Sequence, residues 1–118
     1  MPIGPVAVLE PASAQMRARI ETLCDGFDLR FVSSIETDDM RTALQGATYA
    51  VTRGLRFPAE LLAGAGALKM VHQWGTGVDG IPLDVARERG VTVARSPGVN
   101  APTVAEATLA VMLATLRR

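Results

Sequence analysis

Five short, largely apolar runs bounded by turn residues constrain this chain more than any other feature. They are Val6–Glu10, Asp28–Ser33, Tyr49–Arg53, Leu68–Gln73 and Val91–Arg95. Runs of that length and composition read as strands covered on both faces, which implies a parallel sheet. Helix-period segments fill the gaps. Met16, Ile20 and Leu23 fall on one face of Ser13–Cys24, with Arg17, Arg19 and Glu21 elsewhere. Gly26 supplies a stop. Thr37 is positioned to cap a second helix, Asp38–Leu44, whose acidic first turn suits the helix dipole, and Gly46 ends it. Pro58 opens a third helix, Pro82 opens a fourth, and Gly90 closes that one. Five successive βα units predict an open doubly wound sheet with strand order 2-1-3-4-5. Ligands bind beyond the carboxyl ends of such strands, so the loops after Glu10, Arg53, Gln73 and Arg95 are the ones to inspect.

Bulk properties narrow the function classes. With few aromatics, the core of this 118-residue chain falls to Val, Leu, Ile, Ala and Met. Met40, Met70 and Met112 sit at core spacing and read as packing. The 12 basic and 12 acidic residues are interspersed, which argues against a nucleic-acid partner. Cys24 has no partner for an intramolecular disulfide, reads as a small buried apolar residue, and suits a reducing cytoplasm. The opening MPIGPVAVLEP is not a secretory signal. The most apolar stretch, Val104–Leu116, falls short of the ~20 residues of a membrane span and is interrupted by Glu106. One Cys and one His leave no metal cluster.

Three turns carry the candidate chemistry. Gly75-Thr76-Gly77-Val78-Asp79 follows the fourth run. Two glycines two apart allow positive φ and leave backbone amides unobstructed, and consecutive amides can hold an anion such as a carboxylate. The same turn could equally be a tight strand-to-helix connection, with Asp79 as a local cap. In Ser96–Glu106, Thr103 and Glu106 have capping-box spacing, so the last helix is expected to start at Thr103. Asn100 then sits just before a positive helix end, either facing a ligand or simply turning the chain. Arg53, in Thr52-Arg53-Gly54, could reach a carboxylate with its guanidinium. His72, inside a strand run, reads as structural rather than catalytic.

In combination these turns resemble the N-terminal, substrate-binding part of the D-isomer-specific 2-hydroxyacid dehydrogenases, the phosphoglycerate dehydrogenase-like group. The resemblance rests on Leu68-Lys69, Gly75-x-Gly77-Val78-Asp79, Ala86-x-Glu88-Arg89-Gly90-Val91, Pro97-Gly98-x-Asn100-Ala101 and Val104-Ala105-Glu106. It implies a flavodoxin-like α/β domain over residues 1–100, with a five-stranded parallel sheet. An apolar interdomain helix over 101–118 would lead to a missing NAD-binding domain. It further implies that the amides of Gly75, Thr76, Gly77 and Val78 hold the substrate carboxylate, and that Arg53 and Asn100 touch a small 2-hydroxy or 2-oxo acid. Val104 would pack near the nicotinamide of NAD or NADP.

The family's catalytic Arg, Glu and His and its glycine-rich fingerprint lie beyond residue 118, so no catalytic residue is expected here and the chain alone is expected to be inactive. Two departures stand out: Ala107 where the family often has His, and the bulky Trp74 just before the turn. The apolar 103–118 helix, left without its second domain, is expected to form a homodimer contact. The competing reading is a small-carboxylate-binding or regulatory module of the same fold. A flavodoxin would want more hydroxyls in Glu10-Pro11-Ala12-Ser13, and a phospho-receiver an aspartate at Thr52-Arg53-Gly54.

Overall fold

The computed structural model of the chain describes residues 3–117. Met1, Pro2 and Arg118, at the ends of the expected 1–100 and 101–118 units, lie outside the described residues. Strands and helices alternate throughout: β1 (Val6–Val8), α1 (Ala14–Leu23), β2 (Leu29–Phe31), α2 (Thr37–Leu44), β3 (Tyr49–Thr52), α3 (Ala59–Gly64), β4 (Met70–Gln73), α4 (Leu83–Glu88), β5 (Thr92–Arg95) and α5 (Ala101–Leu116). All strand pairs are parallel and the order is β2-β1-β3-β4-β5, as the sequence predicts. Each strand is a residue or more shorter than its apolar run.

One face of the sheet is fully covered. Ala7, Ala50 and Val71 lie side by side in register and are buried. Their small side chains form a floor for Met40, Ala43 and Leu44 of α2, Leu61 and Leu62 of α3, and Ala86 of α4. Phe57, 2% exposed, plugs the start of α3. Each buried Leu, Met or Phe contributes about 1.5–3 kcal/mol of transfer free energy.

The other face is covered only in part, against the expectation of two covered faces. Tyr49, Met70, Val51, His72 and Ala94 alternate with the buried set and are only half-buried. Among the helices, α1 serves this face, with the Arg17 guanidinium 4.7 Å above the Phe31 ring of β2. Nothing in α1 is buried: Met16 and Ile20 are half-covered, and Leu23, expected in the core, is 75% exposed. Met70 and Met112 are corrected likewise. Met40 alone of the three is core, Met70 is half-buried, and Met112 is 55% exposed on α5.

Helix starts differ from expectation at two places. Thr37 is the first residue of α2 and Glu36 precedes it, with no side-chain cap. The loop is fixed instead by Asp39, whose carboxylate accepts from the amides of Ser33 (3.1 Å) and Ser34 (2.8 Å) and from both hydroxyls. Helix α5 begins at Ala101, two residues before Thr103, because Pro102 is tolerated in a first turn where no amide donor is needed. The Thr103–Glu106 capping box therefore does not form. All of α5 is exposed.

The glycine held by close approach is Gly80. An added Cβ would lie 2.6 Å from the Leu55 carbonyl oxygen, and the Gly80 carbonyl accepts from Phe57 N–H at 2.8 Å. Gly64, at the end of α3, has open space around it. We expect Gly80→Ala to lower unfolding free energy by about 1–3 kcal/mol in urea titrations. Gly64→Ala should be neutral or stabilising by up to about 1 kcal/mol, since helix propensity favours Ala.

Candidate functional site at the carboxyl edge of the sheet

Parallel pairing brings the ends of β1, β3, β4 and β5 to one edge, with Thr52, Gln73 and Arg95 side by side. The edge is laced by a side chain that the sequence reading left unassigned. Glu10, just after β1, places Oε1 against the amides of Arg53 (2.8 Å), Gly54 (2.7 Å) and Leu55 (2.7 Å) and the Thr52 hydroxyl (3.0 Å). Its Oε2 accepts from Arg53 Nε at 3.1 Å. Three successive amides form an anion-binding nest, here filled from within the chain. Burial pushes the Glu10 carboxyl up, but the amides of Leu55, Arg53 and Gly54 and the Thr52 hydroxyl outweigh it and hold its pKa at about 2 against an ordinary 4.5.

Arg53 is thereby fixed on both sides of its backbone. Its amide meets Glu10, and its carbonyl accepts from Gln73 Nε2 at 2.6 Å. The guanidinium uses only Nε for Glu10, so its terminal nitrogens keep their donors at the exposed edge. Gln73, 6% exposed, is the second residue that sequence reasoning missed. The available signal was its polarity at the end of an otherwise buried strand.

The turn after β4 sits against both neighbours. Trp74 N–H donates to the Thr52 carbonyl (2.6 Å), the Gly75 carbonyl accepts from Ser96 N–H (2.9 Å), and the Thr76 carbonyl accepts from Arg95 Nη1 (3.2 Å). Gly75 N–H is turned back onto the Gln73 carbonyl at 2.9 Å, so this amide is engaged within the fold. Among the described residues, the amides of Thr76, Gly77 and Val78 donate to no protein acceptor. Positive φ is not the reason for the glycines, since it occurs at Gly26, Gly46, Gly90 and Gly98 instead. At Gly77 an added Cβ would lie 3.2 Å from Oδ2 of the exposed Asp79 side chain, a tight approach that a small shift of that carboxylate relieves.

Asn100 is the residue before α5. Its carbonyl accepts from Val104 N–H at 3.0 Å, while its side chain makes no cap bond and is exposed. Val104, in the first turn, is 53% exposed. Trp74 lies beside Val8, Ile20 and Val51 on the partly covered face rather than over the turn. His72 has Nε2 2.9 Å from Ser96 Oγ, in keeping with a structural role. Among the described residues no cluster of His, Cys, Asp or Glu is arranged for a metal, and no helix is long and apolar enough to cross a membrane.

An open parallel α/β sheet with unfilled amides beyond its fourth strand defines a class of ligand-binding domain whose site lies at the carboxyl edge. The family model for the D-isomer specific 2-hydroxyacid dehydrogenase catalytic domain matches residues 6–116. The chain belongs to that family of NAD-dependent oxidoreductases.

Curated relatives include D-3-phosphoglycerate dehydrogenase of Mycobacterium bovis, 34% identical over 84% of this chain, and that of Mycobacterium leprae, 32% identical over 97%. The chain spans only 19% and 21% of those two proteins. Among solved structures, a 2-hydroxyacid dehydrogenase from Ketogulonicigenium vulgare superposes with a TM-score of 0.75 at 25% identity, over 97% of this chain and 36% of that one. An NAD+-bound 3-phosphoglycerate dehydrogenase of Entamoeba histolytica superposes at 0.78 and 18% identity, over 92% and 38%, a likeness of fold.

The Glu10 nest generates a pH prediction. A folded pKa below the unfolded one adds stability that is complete above the unfolded value and disappears as pH falls through the folded one. Glu10→Gln should cost about 3 kcal/mol at pH 7, by conversion of the shift. The gap between parent and variant should close between about pH 4.5 and 2 in urea unfolding. A constant gap across that window would show that Glu10 is not held as a charged group.

Proposed function

We propose that this chain is the substrate-binding portion of an NAD-dependent D-2-hydroxyacid dehydrogenase. Residues 1–100 form the substrate domain, and 101–118 form the helix leading to a domain that holds most of the cofactor. The observation that carries this reading is the row of unfilled amides at Thr76, Gly77 and Val78. These three N–H groups bind the carboxylate of a small 2-hydroxy or 2-oxo acid without a formal positive charge. The neighbouring loop, clamped by Glu10 and Gln73, keeps the free donors of Arg53 at the same edge for the substrate's other oxygens. Asn100, with an unspent side chain, hydrogen-bonds substrate from the start of α5.

NAD or NADP supplies the hydride acceptor when bound. The exposed Val104 side chain fits as one apolar wall for the nicotinamide. The glycine-rich strand-to-helix turn after β4, Gly75–Gly80, is taken here by the substrate carboxylate, with Gly80 packed against the Leu55 carbonyl, so most of the cofactor is held elsewhere. No proton-transfer step is assigned to this chain, because its one histidine is turned onto Ser96. The residues here bind and orient; alone they are inactive. The free Cys24 thiol fits a cytoplasmic setting. The wholly exposed, apolar α5 makes a homodimer the fitting state.

Pyruvate, as a minimal 2-oxo acid, should shift the amide resonances of Thr76, Gly77 and Val78 in a 15N-labelled chain while leaving Gly75 nearly still. Gly77→Val should weaken that binding at least tenfold by crowding the amides. Undisturbed resonances, or unaltered affinity in a folded Gly77→Val chain, would remove the cradle. In a version extended through a cofactor domain, Asn100→Ala should cost about 1–3 kcal/mol in kcat/KM. An unchanged value would take Asn100 out of the site.

A further inference from the structure

Glu10 touches Arg53 twice. Oε1 accepts from the Arg53 amide at 2.8 Å, and Oε2 accepts from Nε of the same residue at 3.1 Å. One carboxylate therefore bridges the main chain and the side chain of a single arginine. That closes a ring through the Arg53 side chain and limits its χ angles. The carboxylate has no freedom to follow a moving partner, because Oε1 is also held by the amides of Gly54 and Leu55 and by the Thr52 hydroxyl. From the other side, Gln73 Nε2 grips the Arg53 carbonyl at 2.6 Å. The Glu10 side chain is 16% exposed against 47% for Arg53. The covered end of the pair is thus the anchor, and the open end is the donor. With its pKa at about 2, Glu10 stays ionised at neutral pH.

A guanidinium can meet two oxygens along its side, through Nε and one terminal nitrogen, or end-on, through Nη1 and Nη2. Glu10 occupies the side. Among the described residues, the terminal nitrogens donate to no protein acceptor. An untethered arginine gives up rotamer freedom when it grips a ligand. Arg53 gives it up when the chain folds, so less is lost on binding.

We propose that Glu10 is a positioning residue for the substrate: acting through Arg53, it leaves only the end-on fork to the ligand and aims that fork at the oxygen on carbon 2. This rests on the reading above, in which the amides of Thr76, Gly77 and Val78 hold the carboxylate and Arg53 takes the remaining oxygen of a small 2-oxo or 2-hydroxy acid. Glu10 then sets how strongly the site prefers a 2-oxo acid to a plain carboxylate.

The test is affinity for pyruvate and for acetate, which lacks the 2-oxygen, read from the shifts of the Thr76, Gly77 and Val78 amides in the 15N-labelled chain. Glu10→Gln keeps an acceptor for the backbone amides but turns an NH2 donor toward Arg53 Nε. It should weaken pyruvate about fivefold or more and leave acetate within about twofold, a split that a merely loosened loop would not produce. Equal losses for both ligands, or no loss, overturn the positioning. Arg53→Ala should also weaken pyruvate about fivefold or more, and adding Glu10→Gln to it should change little. A second loss of similar size on that background shows Glu10 acting by another route and overturns the positioning. Arg53→Lys leaves Glu10 untouched and keeps the charge, but it has no Nε donor and no fork. It should lose pyruvate as Arg53→Ala does, and affinity equal to the parent's would overturn the positioning by showing that charge alone suffices. The site reading fails separately: a folded Arg53→Ala chain with the parent's affinity removes Arg53 from the site, and the positioning with it. A loss in Arg53→Ala beside an unaffected Glu10→Gln chain leaves the reading standing and overturns the positioning alone.

Discussion

A parallel sheet must bury two faces, and this chain's own helices complete only one. Most of the molecule follows from that constraint. Helices α2, α3 and α4 all lie over the floor made by Ala7, Ala50 and Val71, and that side holds the core. The opposite side has α1, lying above Phe31 near the β2 edge, and then half-covered Val51, Met70 and His72. A small domain has little apolar area to spare. A half-covered sheet face and a bare helix are therefore two parts of one deficit in buried apolar area.

The carboxyl edge solves a different problem, which is how to hold anions with backbone. Two clusters of amides lie side by side there. The one after β3 is filled by Glu10, which converts a potential anion site into a rigid clamp. The one after β4 is left unfilled at Thr76, Gly77 and Val78. An intramolecular carboxylate in the first prevents that loop from competing for a ligand carboxylate, and it fixes the backbone of Arg53. The two clusters thus differ in state: a carboxylate of the fold fills the first, and the amides of the second have no protein acceptor among the described residues.

The sheet order was legible because each apolar run is short and bounded by turn formers, which leaves few topologies. The turn after β4 was legible because GxG followed by Val and Asp is local. What could not be read is what acts across long sequence separations. Glu10 bonds residues more than forty positions away, and no spacing within a window announces it. Gln73 is similar: its role depends on which carbonyl lies beside it in the next strand. The misplacement at Thr103 has a local cause. S/T-x-x-E spacing is a real capping signal, but Pro102, which fits only the first turn of a helix, supports an earlier start. Leu23 was misassigned because helical periodicity identifies a side chain's direction and not whether anything lies opposite.

The contact at Gly80 has a mechanical consequence. Its backbone presses on the Leu55 carbonyl and accepts from Phe57 N–H, so the segment after β4 and the segment after β3 abut with no side chain between them. Phe57 is in turn buried at the head of α3. The two segments are tied by that bond and by the close backbone approach, so a displacement of one is opposed by the other. The carboxyl edge is therefore a surface whose ordering is completed when the chain folds.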